Sequence, residues 1–541
     1  MSPTESKKNK KEQEVSREKM IADLQSADAY PYQVEQITLI QTHISYVALL
    51  PYYVYKIKKP VNLGFLDFST LEKRRKQCEK EVKLNRRLSS NMYEGVVPIS
   101  RIDSSLKIED DSNIVDYAVK MKRLSEEGFL NRKVEQGNLT KEDIDRVVEV
   151  LKSFYGSQGS SPEAAEWGRP QNLMISIQEN FEQTARFQGD LLRESTCRVI
   201  QSFQAQFMCC HFRLMNQRRA EGKIIEGHGD LRLEHIHFTS DEVRIFDCIE
   251  FNDRFRFNDT ANEVAFLAMD LDYHDQSDLA VYFIRRMSET LNDPDLPVLI
   301  DFYRNYRAYV RAKVQSLKTL ESEISEEQKK ISRKAATELY RLALNYSVNG
   351  LKPMVIIIMG SIGTGKTTVA ENLSEALGWE VIRSDRQRKE LAGVPLTQRS
   401  GPAERKRLYS QKMTGKTYNT LKNHAIKRAK QGQSSLLDAT YGKKELRYDL
   451  QKSLYSHGIP YCFAELSVSK EKIKKRLRER ESSPQQISDA RIEDFHKLIN
   501  MYEPPDALED SRHFVVNSGQ SLENTLYDIL NGVIRLRSLH T

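Results

Sequence analysis

One run constrains this chain more than any other: Val355-Ile-Ile-Ile-Met-Gly-Ser-Ile-Gly-Thr-Gly-Lys-Thr-Thr-Val-Ala370. Five apolar residues lead straight into G-x-x-x-x-G-K-[ST], with Gly360, Gly365, Lys366 and Thr367 at the fixed positions. An amphipathic pattern follows from Val369 to Leu377. A buried strand, a glycine turn and a helix in that order open an α/β unit built on a parallel sheet. Glycines let backbone N–H groups turn inward around a phosphate, and the helix N-terminus adds its positive dipole end. Gly360, Ser361, Ile362, Gly363, Thr364, Gly365, Lys366, Thr367 and Thr368 are therefore candidate contacts to a nucleotide. Lys366 is placed to reach the β- and γ-phosphates and Thr367 to bind Mg²⁺. A glycine turn matching by chance is the competing reading, and the strand and helix flanking it count against that.

Three further features follow in order. Leu436-Leu-Asp-Ala-Thr440 reads as an apolar strand ending in Asp438, the place for a Walker-B-type acid acting on the hydrated metal. Val381-Ile-Arg-Ser-Asp385 reads as a strand running into a helix, and Asp385 is either the base for an acceptor hydroxyl or an N-cap. Lys472-Ile-Lys-Lys-Arg-Leu-Arg-Glu-Arg480 puts Arg476 and Arg480 four apart on one helical face, with Arg491 beyond. These arginines read as a cationic lid over a transferring phosphate, against the alternative of a solvated charged helix.

At 541 residues the chain is too long for one ordinary core. The expected division is a disordered tail over 1–28, a larger domain over 29–348 and a nucleotide domain over 349–541, joined at Asn349-Gly-Leu-Lys-Pro353. No apolar run approaches the ~20 residues that span a bilayer, and the charged first residues lack a signal-peptide core. Six cysteines without a CxxC pair fit neither a zinc site nor a disulfide framework, so a cytoplasmic chain with no membrane partner is expected. Residues 351–541 carry 32 Lys/Arg against 22 Asp/Glu, while the remainder is slightly acidic. That basic third suits nucleotide phosphates or nucleic acid.

The larger half has its own chemistry. Tyr46–Leu50 and Tyr53–Lys58 read as strands turning at Pro51, Leu71–Leu88 as an amphipathic helix, and Val115–Met121 as a strand. His228-Gly-Asp230-Leu-Arg-Leu-Glu-His235 is followed by Val243-Arg-Ile-Phe-Asp247-Cys-Ile-Glu250. The protein-kinase counterpart is H-R-D-L-x-x-x-N, then a strand ending in a metal-binding Asp. On that pattern Asp230 orients and deprotonates an acceptor hydroxyl, and Asp247 holds Mg²⁺ on ATP. Two isolated turn aspartates are the plainer alternative.

The C-terminal motifs resemble the small P-loop kinases that include gluconate kinase, polynucleotide 5′-kinase and zeta-toxin-like proteins, over roughly 350–510. The His-Gly-Asp-Leu segment resembles the aminoglycoside phosphotransferases. That second resemblance implies Lys56 as the phosphate-binding lysine, with Lys58 as alternative, and Glu81 as its ion-pair partner, with Glu79 second. It implies Val115–Arg123 as the inter-lobe strand at adenine. His235 falls where the family's metal-binding Asn stands, and no glycine lies between Thr42 and Lys56. The order of halves, with Tyr55-Lys-Ile-Lys-Lys-Pro-Val-Asn-Leu-Gly-Phe-Leu-Asp-Phe68 and Phe246-Asp-Cys-Ile-Glu-Phe-Asn-Asp253, resembles bacterial bifunctional aminoglycoside phosphotransferase/ATP-binding proteins. The implied fold is an α+β protein-kinase-like domain followed by an α/β P-loop kinase with a parallel sheet. The expected activity is ATP- and Mg²⁺-dependent phosphoryl transfer to a small hydroxyl-bearing molecule. The rivals are an ATP-binding regulatory module and a nucleic-acid end kinase. The basic residues of the C-terminal third lack the interleaved aromatics that stack bases, which counts against the last.

Overall fold

The computed structural model describes residues 18–538, except 43, 63, 65, 160, 322–323, 351, 397, 399, 482–494, 504 and 506–511. Two compact units emerge, one formed by residues up to 174 with 212–303, the other by 175–211 with 304–541.

The first unit is built on a six-stranded antiparallel sheet. Its strands are β1 (Thr38–Gln41), β2 (Ser45–Leu49), β3 (Tyr53–Lys58), β4 (Tyr93–Ile102), β5 (Ser105–Ile108) and β6 (Ile114–Lys122), in the order β1-β2-β3-β6-β4-β5. The period of two decides what each face does. Tyr55 and Ile57 of β3 pack with Tyr46, Ala48 and Ile99 on one face. Val54 packs with Cys78 and Val82 of the helix Leu71–Asn85 on the other. Lys56 and Lys58 share the Val54 parity, so both ammonium groups are carried under that helix. The helix starts where Thr70 caps Lys73 N–H.

β4 was not foreseen. It contains Gly95 and Pro98, which read as breakers, and its ladder with β6 slips between Tyr93 and Gly95 and again between Ile99 and Ser100. The expected tail also begins earlier as structure: residues 18–24 are helical, and buried Leu24 joins the core cluster of Tyr46 and Tyr55. Two small antiparallel pairs complete the unit. β7 (Ile224–Glu226) pairs with β10 (Phe257–Asp259), and β8 (Ile236–Phe238) with β9 (Val243–Ile245).

In the second unit β11 (Val355–Met359), β12 (Glu380–Arg383), β13 (Ser435–Asp438), β14 (Tyr461–Ser467) and β15 (His513–Asn517) form an all-parallel sheet in the order β12-β13-β11-β14-β15. β11 is central and every residue of it is buried, which is why it reads as an unbroken apolar run and not as an alternation. The side chains of Val355, Ile357, Leu437 and Phe463 meet Leu421, Leu450 and Leu454 from the covering helices.

The segments 175–211 and 304–348 also belong to this unit, whereas the sequence reading placed them with the N-terminal half. The physical ties are local. Asn345, near the end of the helix Glu326–Val348, donates to Leu377 O at 2.9 Å and accepts from Trp379 Nε1 at 2.7 Å. Arg537 donates to Tyr346 O at 2.8 Å. A polar Asn-Gly-x-x-Pro stretch marks a helix end here, and the packing continues across it.

Candidate functional site

The parallel sheet places the phosphate loop at the carboxyl end of its central strand, the position where open α/β sheets bind ligands. Gly360 leaves β11 at φ 136°, and a Cβ there would stand 2.6 Å from Leu466 O, so no side chain fits. Gly365, at φ 94°, is the N-cap of the helix Lys366–Leu377. Lys366 Nζ donates to Gly360 O at 3.0 Å and Ser361 O at 2.8 Å, holding its charge over the loop. Thr364 is buried and donates to Ser361 O, while Ile362 packs against Ile473 and Leu477. Gly363 turns at φ 72°, and Thr368 is exposed in the first helical turn.

Asp438 closes β13, in register with Ile358 of β11 and Arg383 of β12. Thr367 Oγ1 donates to Asp438 Oδ2 at 2.8 Å. Burial pushes the Asp438 carboxyl up, against the pull of the Lys366 charge and the Thr367 hydroxyl. These oxygen donors at the loop mouth suit a hard cation such as Mg²⁺. Asp385 occupies the first turn of the helix Ser384–Ala392; the N-cap itself is Arg383, so the capping alternative does not describe it. The sequence reading missed Tyr418, which is half-buried and accepts the Tyr441 N–H at 3.3 Å; burial pushes its hydroxyl up, against the Arg388 charge and with the Asp385 and Asp438 charges. Nothing in the sequence links position 418 to 441; the helix Gln411–Lys430 brings it there by tertiary packing.

Arg476 lies in the helix Lys470–Glu481 and closes on the loop from above. Its Nη1 donates to Thr364 O at 3.0 Å and its Nη2 to Ser518 O at 2.7 Å. A cavity of about 410 Å³ opens there, lined by Thr364, Gly365, Thr368, Arg476 and Gln520, a volume within the range of small-ligand sites. The side chain of Arg480 and residue Arg491 lie outside the described residues.

The first unit assembles a second cluster. Lys56 Nζ is 2.9 Å from Glu81 Oε1 and 2.7 Å from Asp247 Oδ1. Lys58 Nζ is 2.6 Å from Glu81 Oε2 and also pairs with Glu250. Both candidate lysines therefore meet Glu81, while Glu79 pairs with Arg75 on the exposed face. Burial pushes Glu81 up, but the Lys56 and Lys58 charges hold it below the ordinary carboxylate value. Burial likewise pushes Asp247 up and the Lys56 charge outweighs it, so that carboxyl is also held low. Asp247 adopts φ 64°, an uncommon conformation for a residue other than glycine, and its N–H donates to Tyr93 OH.

Asp230 stands on a loop pinned from several sides. Glu263 accepts the N–H groups of His228 at 2.6 Å and Gly229 at 2.9 Å, and Asp270 accepts that of Leu233 at 2.9 Å. His228 Nε2 donates to Phe246 O at 2.8 Å, and burial lowers its pKa to about 4, so it stays neutral. His235 Nδ1 donates to Asp230 O at 2.8 Å, and its Nε2 is 3.5 Å from Asp247 Oδ2. Arg232, unmarked by the sequence reading although inside the motif, forks onto Asp230 at 3.0 and 2.8 Å. Val115–Arg123 overlaps all of β6 but its first residue, and β6 runs beside β3.

The parallel sheet and the loop after its central strand define a P-loop fold. Residues 355–505 match a family described as an AAA domain. Over 429 residues the chain is 28% identical to uncharacterized proteins of Mycobacterium tuberculosis and Mycobacterium bovis, covering 78% of this chain and 82% of each relative. Among solved structures it is similar to a gluconokinase from Sinorhizobium meliloti at 20% identity, covering 35% of this chain and 96% of that one with a TM-score of 0.27. It is likewise similar to the APS kinase of Mycobacterium tuberculosis at 17% identity, covering 35% and 98% with a TM-score of 0.24. Among the described residues no helix is long and apolar enough to cross a membrane.

Proposed function

We propose that the chain is an ATP- and Mg²⁺-dependent phosphotransferase acting on a small hydroxyl-bearing molecule, with the P-loop unit as its transfer site. The observation that carries this reading is the 2.8 Å contact between Thr367 Oγ1 and Asp438 Oδ2 directly beneath the Lys366 loop. Mg²⁺, when bound by Thr367 and by Asp438 through its hydration shell, offsets charge on the nucleotide phosphates. Lys366 and the loop amides hold the β- and γ-phosphates, and the cavity beside Arg476 takes the base. Asp385 accepts the acceptor's hydroxyl proton as its oxygen bonds to the γ-phosphorus and the bond to the bridging oxygen breaks. Arg476 and Arg480 neutralise charge on the moving phosphoryl group.

The first unit supports a second reading, an aminoglycoside phosphotransferase-like kinase site, which makes the protein bifunctional. The Lys56–Glu81–Asp247 contacts favour it, because they unite the three charges that a kinase-like fold needs at the phosphates. Lys56 and Glu81 bind nucleotide there, Asp247 holds the metal and Asp230 acts on the hydroxyl. As functional halves of a cytoplasmic protein we propose 29–348 and 349–541, with 175–211 and 304–348 packed in the second compact unit.

ATP turnover against a panel of sugar, sugar-acid and nucleoside hydroxyl acceptors, with an oligonucleotide 5′-end as comparison, tests the proposal. Acceptor-dependent ADP release from small molecules is expected. Transfer to the oligonucleotide alone would make the protein a nucleic-acid end kinase, and binding without turnover would make it a regulatory module.

A further inference from the structure

Protein kinases hold two Mg²⁺ ions at the phosphates, one on the Asp after the metal-binding strand and one on the Asn of the catalytic loop. In this chain the Asn position is His235, and its surroundings are specific. The carbonyl of Asp230 can only accept, so the 2.8 Å contact makes His235 Nδ1 the protonated nitrogen. Its Nε2 then offers a lone pair, and Arg232 Nη2 lies on it at 3.1 Å. The nitrogen that would have to bind a metal is engaged, and Mg²⁺ prefers oxygen in any case.

The same guanidinium forks onto Asp230, Nε to Oδ1 at 3.0 Å and Nη2 to Oδ2 at 2.8 Å, and its Nη1 pairs with Glu234. Arg232 is only 8% exposed, whereas the side chains of Asp230 and Asp247 are 24% and 42% open. A fixed positive charge thus sits immediately behind the two open carboxylates. His235 links the pair, at 3.1 Å from Arg232 and 3.5 Å from Asp247.

Resting on the nucleotide reading of the first unit, we propose that the Arg232 guanidinium takes the place of the second divalent cation, so that this site works with a single metal ion on Asp247. Arg232 binds one edge of the Asp230 carboxylate through Oδ1 and Oδ2, and the acceptor hydroxyl approaches the side chain's solvent-open part. In the transfer the acceptor oxygen bonds to the γ-phosphorus as the bond to the β,γ-bridging oxygen breaks, the hydroxyl proton passes to Asp230, and ADP leaves. His235 is a positioning residue, holding the guanidinium in plane with Asp230. A protein that has replaced a metal ligand by histidine and a metal by arginine should show this in its metal stoichiometry, which an ion pair that merely shapes the loop would not alter.

The test uses the full chain carrying Lys366→Ala and Asp438→Asn, which silences the P-loop site. Mn²⁺ bound in the presence of a non-hydrolysable ATP analogue is counted by electron paramagnetic resonance. One Mn²⁺ per chain is expected, and two would overturn the proposal while leaving the nucleotide reading intact. No nucleotide-dependent Mn²⁺, with no nucleotide binding by calorimetry, would overturn both. In the same background Arg232→Ala with His235→Asn is expected to raise the count to two, since an oxygen ligand now faces an open position. A count that stays at one in a variant with unchanged circular dichroism would overturn the exchange. For turnover, Arg232→Ala is expected to lose on the order of 10²-fold in kcat, the scale of removing one preorganised electrostatic group, with partial recovery on adding guanidinium ion. An unchanged kcat would equally refute the role.

Discussion

Glu81 is the residue on which the first unit's buried charges converge. Its side chain is about 1% exposed, accepts from Lys58 Nζ at 2.6 Å and is ion-paired with Lys56, whose Nζ lies 2.9 Å from Oε1. Glu81→Gln keeps the shape and removes the charge. Breaking a buried ion pair by removing one partner costs about 3–5 kcal/mol. Here each lysine keeps a second carboxylate, Asp247 for Lys56 and Glu250 for Lys58, so the lower end, about 3 kcal/mol, is expected. At about 1.4 kcal/mol per decade that is roughly a hundredfold in the local folding equilibrium.

The pH dependence has a definite sign. The folded Glu81 carboxyl is held below its ordinary value because the lysine charges outweigh burial. Its stabilisation is therefore present above the unfolded value of about 4.3 and is lost as pH falls through the folded value. The gap between wild type and Glu81→Gln should be full at pH 7 and close on acidification. Urea unfolding followed by hydrogen exchange of residues 45–121 in the full chain reads it. Adding Lys58→Met should recover part of the loss, since a buried ion pair replaced by apolar groups is often neutral. A gap under about 1 kcal/mol at pH 7, or one that widens on acidification, would refute the reasoning about this network.

Three further expectations follow from the second unit. Asp438→Asn should shift the Mg²⁺ titration of turnover to higher concentration while the fold persists, because the carboxylate acts through charge on the hydrated ion; an unmoved titration curve would reduce Asp438 to a strand-end residue. Asp385→Asn should lower kcat by ~10²–10⁴-fold with little change in KM for ATP, the signature of a base at the acceptor; a change confined to KM for ATP would contradict that role. A fragment beginning at 304 should be more resistant to urea than one beginning at 349, because only the longer one retains Asn345 on Leu377 and Trp379; equal midpoints would show that those bonds add nothing.

The phosphate loop, Asp438 and the parallel sheet were legible because local chemistry dictates them. Glycine at Gly360 and Gly365 is demanded by backbone angles, and the unbroken apolar run of β11 is what a strand buried on both faces requires. The lysine-bearing β3 was legible through its turn at Pro51 and its alternation. What stayed hidden depends on contacts between distant positions. β4 concealed itself behind Gly95 and Pro98, which its bulges accommodate. The Asp230 motif pointed to a catalytic loop, but nothing in the order of residues says that Arg232 folds back onto its neighbour. Tyr418 meets the Tyr441 N–H only through tertiary packing, and Lys58 joins Glu250 across 192 positions of sequence.

Phosphoryl transfer is proposed to run at the Lys366 loop. Transfer of labelled γ-phosphate from ATP to a hydroxyl acceptor, measured for the full chain, for Lys366→Ala and for Asp230→Asn, tests it most directly. Lys366→Ala is expected to abolish transfer to the P-loop acceptor with the fold unchanged, since that ammonium donates to the loop carbonyls of Gly360 and Ser361 and is proposed to hold the nucleotide phosphates. Asp230→Asn should leave that same transfer intact. Undiminished transfer in folded Lys366→Ala, or its loss in Asp230→Asn alone, would contradict the claim.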